Sequence, residues 1–296
     1  MSNLKNPKEL YHKDGFPKQD QEGPALQNKM KPVPDCGENT YKGSGKLTGR
    51  NALITGGDSG IGRAVAIAFA MEGANVAIHF LPGEESDAEE VKELIEKEGR
   101  KALLLPYDFK EEGNGAKIVS ETVKAFGALD ILVLNAAQQI AHEKLEDLPM
   151  QQVRDTFQVN IISMYESVKE AEKYLEPGST IVTTSSVNSF NPSVSFFDYA
   201  VTNGAISTFT ALLSGYFAPK GIRVNGVAPG PVWTPLQLDG GQLEGGLESF
   251  GQDTQLERSG QPAELAQTYV FLASNDSSYI SGEIIKVTGG STISTE

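Results

Sequence analysis

Short apolar runs alternate along the chain with stretches in which apolar residues recur at helical spacing. Small and apolar side chains keep that spacing from Arg63 to Glu72, and Ser86 with Glu89 forms a capping-box pair that predicts a helix over residues 86 to 98. The alternation predicts an α/β fold, a doubly wound parallel sheet with helices on both faces. The predicted strands are 51–55, 76–80, 102–106, 131–135, 179–184, 222–228 and 284–288.

The first 46 residues differ from the rest of the chain, because they are polar and show neither the helical nor the strand period. They include Pro7, Pro17, Pro24, Pro32 and Pro34. The pattern therefore predicts a polar N-terminal arm over residues 1 to 46 and one α/β domain over residues 47 to 296. Two interpretations of the arm stay open: a free tail, or an ordered strap over the globular body or over a neighbouring subunit.

The composition argues against several classes of protein. The formal net charge of −14 argues against a nucleic-acid partner or an anionic membrane, since phosphate groups select clustered Lys and Arg. The single cysteine, Cys36, excludes an internal disulfide, and the scattered histidines have no metal-ligand spacing. No apolar run approaches membrane-spanning length, and the first ten residues do not resemble a secretory signal. We therefore expect a cytoplasmic protein with no metal and no membrane partner.

A glycine-rich string follows the first predicted strand and opens the first predicted helix. It reads Thr55-Gly56-Gly57-Asp58-Ser59-Gly60-Ile61-Gly62. Gly56 permits a tight turn, Gly60 lets the backbone approach a pyrophosphate, and Gly62 allows close packing of the helix on the sheet. The start of the helix presents unpaired N–H groups to the anion. The string therefore predicts the phosphate cradle of a dinucleotide site.

Further motifs follow this string in a fixed order. Asn135-Ala136-Ala137 comes after the fourth strand, Asn160 lies in the next long helix, Ser186 stands 13 positions before Tyr199, and residues 229 to 234 read PGPVWT. With these motifs, residues 47 to 296 resemble the short-chain dehydrogenase/reductase family, which has glycine in place of Ala137. The long arm and the GGDSG sequence resemble a bacterial subgroup of general stress proteins and uncharacterised oxidoreductases. The resemblance implies a single-domain Rossmann-like fold and NAD(P)-dependent interconversion of a carbonyl and an alcohol by hydride transfer.

The resemblance also implies which residues hold the cofactor. Asp108 and Phe109 would flank the adenine, Asn135 would lie along the adenine ribose, and Val232 and Thr234 would reach the nicotinamide carboxamide. Structural alternatives exist, since Asp108 could cap a turn and Asn135 could brace two strands. The implied set is Gly56, Asp58, Ser59, Gly60, Ile61, Gly62, Phe80, Asp108, Phe109, Asn135, Ala136, Ala137, Tyr199, Asn203, Pro229, Gly230, Val232 and Thr234.

The choice between NAD and NADP depends on the end of the second strand, where an acid would bind the ribose 2′-hydroxyl and an arginine would bind a 2′-phosphate. Phe80 and Leu81 stand at this point, and Ser59 stands where NADP users often carry arginine. Asp58, with Glu84 downstream, would repel a phosphate. The sequence leaves NAD or NADP open and favours NAD.

Tyr199 and Asn203 are the most informative pair in the chain. In the family a tyrosine exchanges a proton with the substrate oxygen, and a lysine four residues later lowers its pKa and binds the nicotinamide ribose. Tyr199 is in place, Ser186 would polarise the substrate oxygen, and Asn160 would hold water in a proton relay, but Asn203 stands where lysine is expected. Asparagine donates hydrogen bonds but carries no charge. The catalytic set implied by the resemblance is therefore Asn160, Ser186, Tyr199 and Asn203, with impaired activity.

Three interpretations of Asn203 stay open. In the first, a natural or engineered substitution impairs turnover and leaves cofactor binding partly intact. In the second, a cation from elsewhere compensates, although nothing in the sequence brings Lys220 to the tyrosine. In the third, the chain is an inactive dinucleotide-binding pseudoenzyme that acts as a stress sensor or scaffold.

The expected partners are a small carbonyl or alcohol substrate and further copies of the chain. Residues 233 to 262 are rich in glycine and acidic side chains, which predicts a mobile segment over the substrate, the alternative being a loop without function. The family is commonly tetrameric, and residues 279 to 285 have the apolar character of a subunit contact, so we predict a homotetramer. The candidate pocket residues suit a small ketone or aldehyde: Gln138, Gln139, Val187, Asn188, Phe190, Phe197 and Trp233.

Overall fold

One parallel sheet of seven strands runs through the computed structural model, which describes residues 4–21 and 23–291. The parts of the predicted arm and domain at 1–3, 22 and 292–296 lie outside the described residues. The predicted fold is confirmed, and each predicted strand ends within one residue of its observed bounds. The strands are β1 (Asn51–Thr55), β2 (Asn75–Phe80), β3 (Ala102–Pro106), β4 (Ile131–Leu134), β5 (Thr180–Thr184), β6 (Arg223–Pro229) and β7 (Ile284–Val287).

Helices cover both faces of the sheet, as the alternation of the sequence predicts. The sheet order is β3-β2-β1-β4-β5-β6-β7, so the chain reverses its direction of travel across the sheet between β1 and β4. The helices are α1 (Gly60–Met71), α2 (Glu85–Lys97), α3 (Asn114–Phe126), α4 (Met150–Phe157), α5 (Ser163–Ala171), α6 (Phe197–Phe217) and α7 (Pro262–Ala273). Helix α1 packs against α2 and α7 on one face, while α3 packs against α5 and α4 against α6 on the other.

Strand β1 shows why the apolar runs are continuous rather than alternating. Ile54 points into the hydrophobic cluster beneath α1 and α7, whereas Leu53 points into the cluster beneath α3, α5 and α6. Both side chains are fully buried. Because side chains alternate between the faces of a strand, a strand covered on both faces needs apolar residues at every position.

The start of α2 differs from the prediction. The helix begins at Glu85, so Ser86 lies within its first turn and the predicted capping box with Glu89 is wrong. The turn before the helix is closed instead by its own acidic residues, because Glu84 accepts from the amide of Leu81 at 2.9 Å and Glu85 accepts from the amide of Gly83 at 3.0 Å. The carboxylate of Glu85 also complements the positive end of the helix.

The described part of the arm is an ordered strap over the body of the protein. Phe16 stacks on Trp233 with ring centroids 3.7 Å apart, and Cys36 is buried in the main hydrophobic cluster. The carboxylate of Glu72, at the end of α1, accepts from the hydroxyl of Tyr41 at 2.6 Å and from the amide of Lys46 at 2.9 Å. Contacts of all three kinds hold the arm in place, so the strap interpretation fits the described residues better than a free tail.

No helix in the described part of the chain is both long enough and apolar enough to cross a bilayer.

Candidate active site

A cleft of about 1150 Å³ opens at the carboxyl ends of the strands, beside the point where the sheet order reverses. In open parallel sheets this crevice is where ligands bind. Most of the predicted dinucleotide residues and all of the predicted catalytic residues line the same cleft, including Ser59, Asn160, Ser186 and Tyr199. The fold therefore brings together motifs that lie far apart in the sequence.

The glycine string forms a tight turn at the floor of the cleft. Gly56 and Gly60 have φ of 61° and 52°, a region that side chains disfavour, so glycine is needed at both positions. A Cβ on Gly62 would lie 1.7 Å from the carbonyl oxygen of Gly56. Gly62 does not line the cleft itself, but its missing side chain lets α1 begin directly against the turn. This shape suits a bound pyrophosphate, which needs close backbone approach.

Asp58 is the unusual residue of this turn. It is only 2% exposed, it lines the cleft, and its Oδ2 has no hydrogen-bond partner in the described protein. Burial raises the pKa of its carboxyl to about 7. Glu84 lies close by, and burial together with the charge of Asp58 raises the pKa of Glu84 to about 9. Since Asp58 lines the cleft, its carboxyl lies beside the space in which a ligand would bind and is suited to receive a hydroxyl donor.

Phe80 corrects one of the sequence expectations. It is 2% exposed, belongs to the hydrophobic core and does not line the cleft. Its neighbours His79 and Leu81 do line it, because successive side chains of a strand point to opposite faces. Phe80 therefore does not line the cleft as predicted, and His79, which does, was not among the predicted residues.

His79 joins the glycine turn to the wall of the cleft. The amide of Gly56 lies 3.3 Å from Nδ1, so this nitrogen accepts and Nε2 donates to the carbonyl of Tyr107 at 2.8 Å. Burial lowers the pKa of His79 to about 4, so the ring is neutral at physiological pH. The ring stacks on Phe109 at 3.8 Å. The two rings form a flat apolar wall at one end of the cleft, which is suited to an adenine base.

Asn135 both braces the sheet and lines the cleft. Its Nδ2 donates to the carbonyl of Gly56 at 3.1 Å, and the amides of Asn135 and Ala136 donate to Oγ1 of Thr55 at 2.8 and 2.9 Å. Asp108 likewise lines the cleft and accepts from the amide of Lys110 at 2.8 Å. The structural alternatives named for Asn135 and Asp108 therefore occur together with their position in the cleft.

Asn160 lies in a π-helical segment, Gln158–Ile162, between α4 and α5. Such a bulge in a long helix is frequent at functional sites. The side chain is fully buried, accepts from the amide of Gln138 at 2.7 Å and donates to the carbonyl of Gln138 at 3.0 Å and to Oγ1 of Thr202 at 3.1 Å. These bonds hold the loop after β4 against α6.

Ser186 and Tyr199 face each other across the catalytic end of the cleft. Oγ of Ser186 accepts from the amide of Asn188 at 3.1 Å, which leaves its own hydroxyl proton free to donate. Burial raises the pKa of Tyr199, and the polar side chains of Ser186 and Asn203 oppose that shift. Phe196, a cleft residue that the sequence reasoning missed, meets the tyrosine ring edge-on.

Asn203 lies one helical turn after Tyr199 and is 2% exposed. Its Nδ2 donates to the backbone carbonyl of Tyr199 at 2.8 Å, so part of its hydrogen-bonding capacity is used within α6. Lys220 pairs with Glu172 at 2.5 Å on the surface and does not line the cleft. Within the described residues, the only Lys or Arg that lines the cleft is Lys110, next to Phe109 in sequence.

The candidate substrate end is more polar than the sequence suggested. Gln138, Gln139, Val187 and Asn188 line the cleft, but Phe190, Phe197 and Trp233 do not. Trp233 is fully buried because it stacks on Phe16 and donates from Nε1 to the carbonyl of Pro32 at 2.8 Å. Trp233 therefore belongs to a small hydrophobic cluster that it forms with Phe16 and Met30 of the arm. The remaining predicted residues that line the cleft are Gly56, Asp58, Ser59, Gly60, Ile61, Asp108, Phe109, Asn135, Ala136, Ala137, Pro229, Gly230, Val232, Thr234, Tyr199 and Asn203.

Comparison with known proteins agrees with this geometry. The family model described as enoyl-(acyl carrier protein) reductase matches residues 56–292. A short-chain dehydrogenase from Burkholderia cenocepacia J2315, solved in complex with NADP, is 30% identical, covers 83% of this chain and 98% of its own, and superposes with a TM-score of 0.77. The chain belongs to the short-chain dehydrogenase/reductase family.

Curated relatives give the closer neighbourhood. The uncharacterized oxidoreductase YhxD of Bacillus subtilis is 56% identical over 98% of both chains. General stress protein 39 of Bacillus subtilis is 45% identical over 92% of this chain and 94% of its own. Glucose and ribitol dehydrogenase of Daucus carota is 43% identical over 94% of this chain and 97% of its own. The predicted resemblance to general stress proteins and uncharacterised oxidoreductases is confirmed, and the chain is a member of an oxidoreductase family.

Proposed function

We propose that this protein interconverts a small carbonyl compound and its alcohol with a nicotinamide dinucleotide, with Tyr199 as the acid or base and with a rate limited by Asn203. The observation that carries the proposal is that the glycine turn and the pair Ser186 and Tyr199 line one cleft. A bound cofactor would supply or accept the hydride. The chain's own task is to hold the cofactor, to orient the carbonyl oxygen and to move one proton.

The residues that line the cleft fit a dinucleotide. The glycine turn offers close backbone approach for a pyrophosphate, the His79–Phe109 wall suits adenine, and the unpaired Oδ2 of Asp58 suits a ribose hydroxyl. Val232 and Thr234 line the cleft beyond the turn and would meet the nicotinamide. Each feature serves a different part of one ligand.

Tyr199 is suited to act as an acid. Because burial raises its pKa, the phenol keeps its proton near neutral pH and can donate it to a developing alkoxide. Ser186 would donate a hydrogen bond to the same oxygen, since its Oγ already accepts from Asn188. The reverse reaction requires the phenolate, which no cation among the described cleft residues stabilises near Tyr199. Near neutral pH the phenol is therefore in the protonation state that carbonyl reduction needs, whereas alcohol oxidation requires it to ionise first.

A second candidate function, a dinucleotide-binding protein without turnover, is supported by the same position. Asn203 carries no charge, and Lys220 is paired with Glu172 and stacks over the ring of Tyr216, which leaves compensation by Lys220 without support. The two candidates differ in turnover and agree on cofactor binding. They are separated by restoring the charge.

The test is the variant Asn203→Lys, with Asn203→Met as a matched control of similar length without charge. We expect Asn203→Lys to raise the rate of NADH-dependent reduction of a panel of carbonyl compounds at least tenfold, since an ammonium roughly 4 Å from the phenol is worth on the order of 4 kcal/mol before desolvation. The rate of Asn203→Met should not rise above that of the wild type. No rise in either variant would remove the proposal that Asn203 limits the rate, and turnover by neither variant nor the wild type would favour the non-catalytic candidate.

For the cofactor we propose NAD over NADP. The support is that the carboxyls of Asp58 and Glu84 both line the cleft: with pKa values of about 7 and about 9 they can donate or accept hydrogen bonds with ribose hydroxyls near neutral pH, whereas a 2′-phosphate beside them would meet the partial negative charge of Asp58. Ser59 supplies no cation in compensation. The Burkholderia relative was solved with NADP, so the choice has to be measured on this chain. We expect calorimetry to give a lower Kd for NADH than for NADPH, and Asp58→Asn to narrow the difference; tighter binding of NADPH by the wild type would contradict the proposal.

For the substrate we propose a small polar carbonyl or alcohol. Amides and hydroxyls lie around the catalytic end of the cleft, among them Gln139, Asn188, Asn191, Ser193 and Gln242. Such a lining can hydrogen-bond a hydroxylated chain, and the carrot relative is named for glucose and ribitol. A kinetic screen should favour hydroxylated aldehydes and ketones over alkyl ones of equal length. A preference for the alkyl compounds would contradict the proposed polar substrate and would favour an apolar pocket.

We further propose a cytoplasmic homotetramer. Tyr279 is fully exposed, and Tyr165, Val201, Leu212 and Tyr216 leave large apolar or aromatic side chains exposed on α5 and α6. Such surfaces support association with copies of the chain. Light scattering should give the mass of four chains, and a monomer would contradict the proposal. The location rests on the sequence alone.

A further inference from the structure

The strap reaches the glycine turn itself. Gly23 and Pro24 line the cleft, and the amide of Ala25 donates at 2.8 Å to Oδ1 of Asp239, which also lines it. Beyond this point the strap turns inward, and Gln27 is 1% exposed. The arm thus contributes residues to the site although it lies outside the family's glycine motif.

Gln27 makes a closed set of hydrogen bonds with the turn. Its Oε1 accepts from the amide of Gly60 at 2.7 Å, and its Nε2 donates to Sγ of Cys36 at 3.2 Å. Cys36 in turn donates from Sγ to the carbonyl of Gly60 at 3.6 Å. The peptide groups on both sides of Gly60 are therefore bonded by the arm, in a region that excludes water.

The start of α1 explains why this matters. Gly60 is the first residue of α1, and the first four amides of a helix have no partner within the helix. Gly60 also has a positive φ, a conformation that glycine leaves readily because it has many alternatives. Gln27 supplies the missing acceptor from a distant part of the sequence. On its other side, the backbone amide of Gln27 donates to Asp87 on α2 at 2.6 Å, which anchors it.

We propose that Gln27 is a positioning residue of the dinucleotide site: by holding the Gly60 peptide, it keeps the remaining amides of the turn directed at the pyrophosphate. A neutral carboxamide does this without adding negative charge where an anion binds. The inference rests on the proposed function, since it requires that a dinucleotide binds. It goes beyond it by making the arm part of the site.

The test compares Gln27→Met with Gln19→Met. Both variants replace a glutamine of the arm by a residue of similar length that accepts no comparable hydrogen bond, but Gln19 bonds only the arm's own carbonyls, Pro17 and Lys31, and the amide of Lys31. Calorimetric titration with NADH should give a Kd about tenfold higher than that of wild type for Gln27→Met. The Kd of Gln19→Met should lie within about twofold of wild type. Equal affinity of Gln27→Met and wild type would overturn the proposal.

Adenosine serves as the probe that separates positioning from general loosening. The defect of Gln27→Met should appear with ADP-ribose, which carries the pyrophosphate, and should be at least about threefold smaller with adenosine. Equal losses for both ligands would mean that the arm merely detaches, and would overturn the positioning role. If the wild type binds neither NADH nor NADPH, the proposed function fails as well, which is a different outcome from an unaffected Gln27→Met.

Hydrogen exchange of the unliganded wild type provides a check that needs no variant. The amide of Gly60 should exchange slowly before any cofactor is added, because its acceptor is Gln27 rather than the ligand. Free exchange of this amide without cofactor would contradict the proposal even if Gln27→Met failed to fold.

Discussion

The two ends of the cleft differ in how strongly their chemistry is specified. At the phosphate end, the turn is held by Gly62 against Gly56, by His79, by Asn135 and by Gln27 of the arm. At the catalytic end the geometry of Tyr199 is kept, but the position one helical turn later is neutral. The comparison shows that contacts from several parts of the chain fix the glycine turn, whereas the neutral Asn203 stands where the family resemblance implies a lysine.

The largest expected effect comes from breaking the phosphate end. In Gly62→Ala the new Cβ would lie 1.7 Å from the Gly56 carbonyl oxygen, so backbone must move. We expect a loss of about 4 kcal/mol of unfolding free energy and no detectable NADH binding. Gly260→Ala is the control, since its nearest neighbours would be 3.6 Å away. Urea unfolding and calorimetry measure both, and an unchanged Kd for Gly62→Ala would show that the turn is less constrained than its contacts indicate.

Breaking the link between the strap and the loop after β6 should cost somewhat less. Phe16 is buried against Trp233 and Phe250, and Phe16→Ala should remove about 3 kcal/mol of unfolding free energy in a urea titration. Val33→Ala, at an exposed position of the same arm, should change it by less than about 0.5 kcal/mol. Similar small losses in both would mean that the strap contributes little to stability.

The catalytic end can be sharpened by pH. Because burial raises the pKa of Tyr199, alcohol oxidation by the wild type should keep rising above about pH 10, where the phenolate forms. In Asn203→Lys the rise should move down by about two pH units, since the cation favours the phenolate. Tyr199→Phe should abolish the rise in both backgrounds. A pH profile that Asn203→Lys does not move would place the ionising group elsewhere.

The smallest expected effect concerns the acid in the turn. The pKa of Asp58 is about 7 in the folded protein, above its value in the unfolded chain, so the folded state binds the extra proton and loses stability as pH rises from about 4 through 7. Asp58→Asn should remove this slope and be about 1 kcal/mol more stable than wild type at pH 8. Glu112→Gln, at an exposed acid, should follow the wild-type slope in thermal melting. Identical slopes for all three proteins would show that Asp58 ionises freely.

Much of this architecture could be predicted from local patterns. The strands follow from apolar runs, because a strand covered on both faces must be apolar throughout, and Gly56, Gly60 and Gly62 follow from a turn that only glycine can make. The pairing of Tyr199 with Ser186 was predicted from their separation of 13 positions in the sequence. Each of these signals lies within a few residues, or in a fixed order, along the chain.

Some predicted residue positions are wrong because they depend on contacts between distant parts of the chain, and one is wrong because of a local contact. Trp233 was predicted to line a substrate pocket. In the structure it is buried in a stack with Phe16, which comes from a distant part of the chain. Phe80 and His79 are adjacent, and only the register of β2 decides which of their side chains lines the cleft. The partner of Ser86 was misjudged because Glu84 and Glu85 close the turn themselves.

The sequence by itself determined the class of fold, the order of the motifs and the missing charge at Asn203, because these depend on periodicity, spacing and residue type. Only the tertiary structure decided that the arm reaches the glycine turn, where Gln27 accepts from the amide of Gly60, and that Lys220 is paired with Glu172. The physical reason is that a hydrogen bond or ion pair between residues far apart in the chain leaves no local sequence pattern. Many polar residues could serve as either partner, and only folding shows which two residues meet.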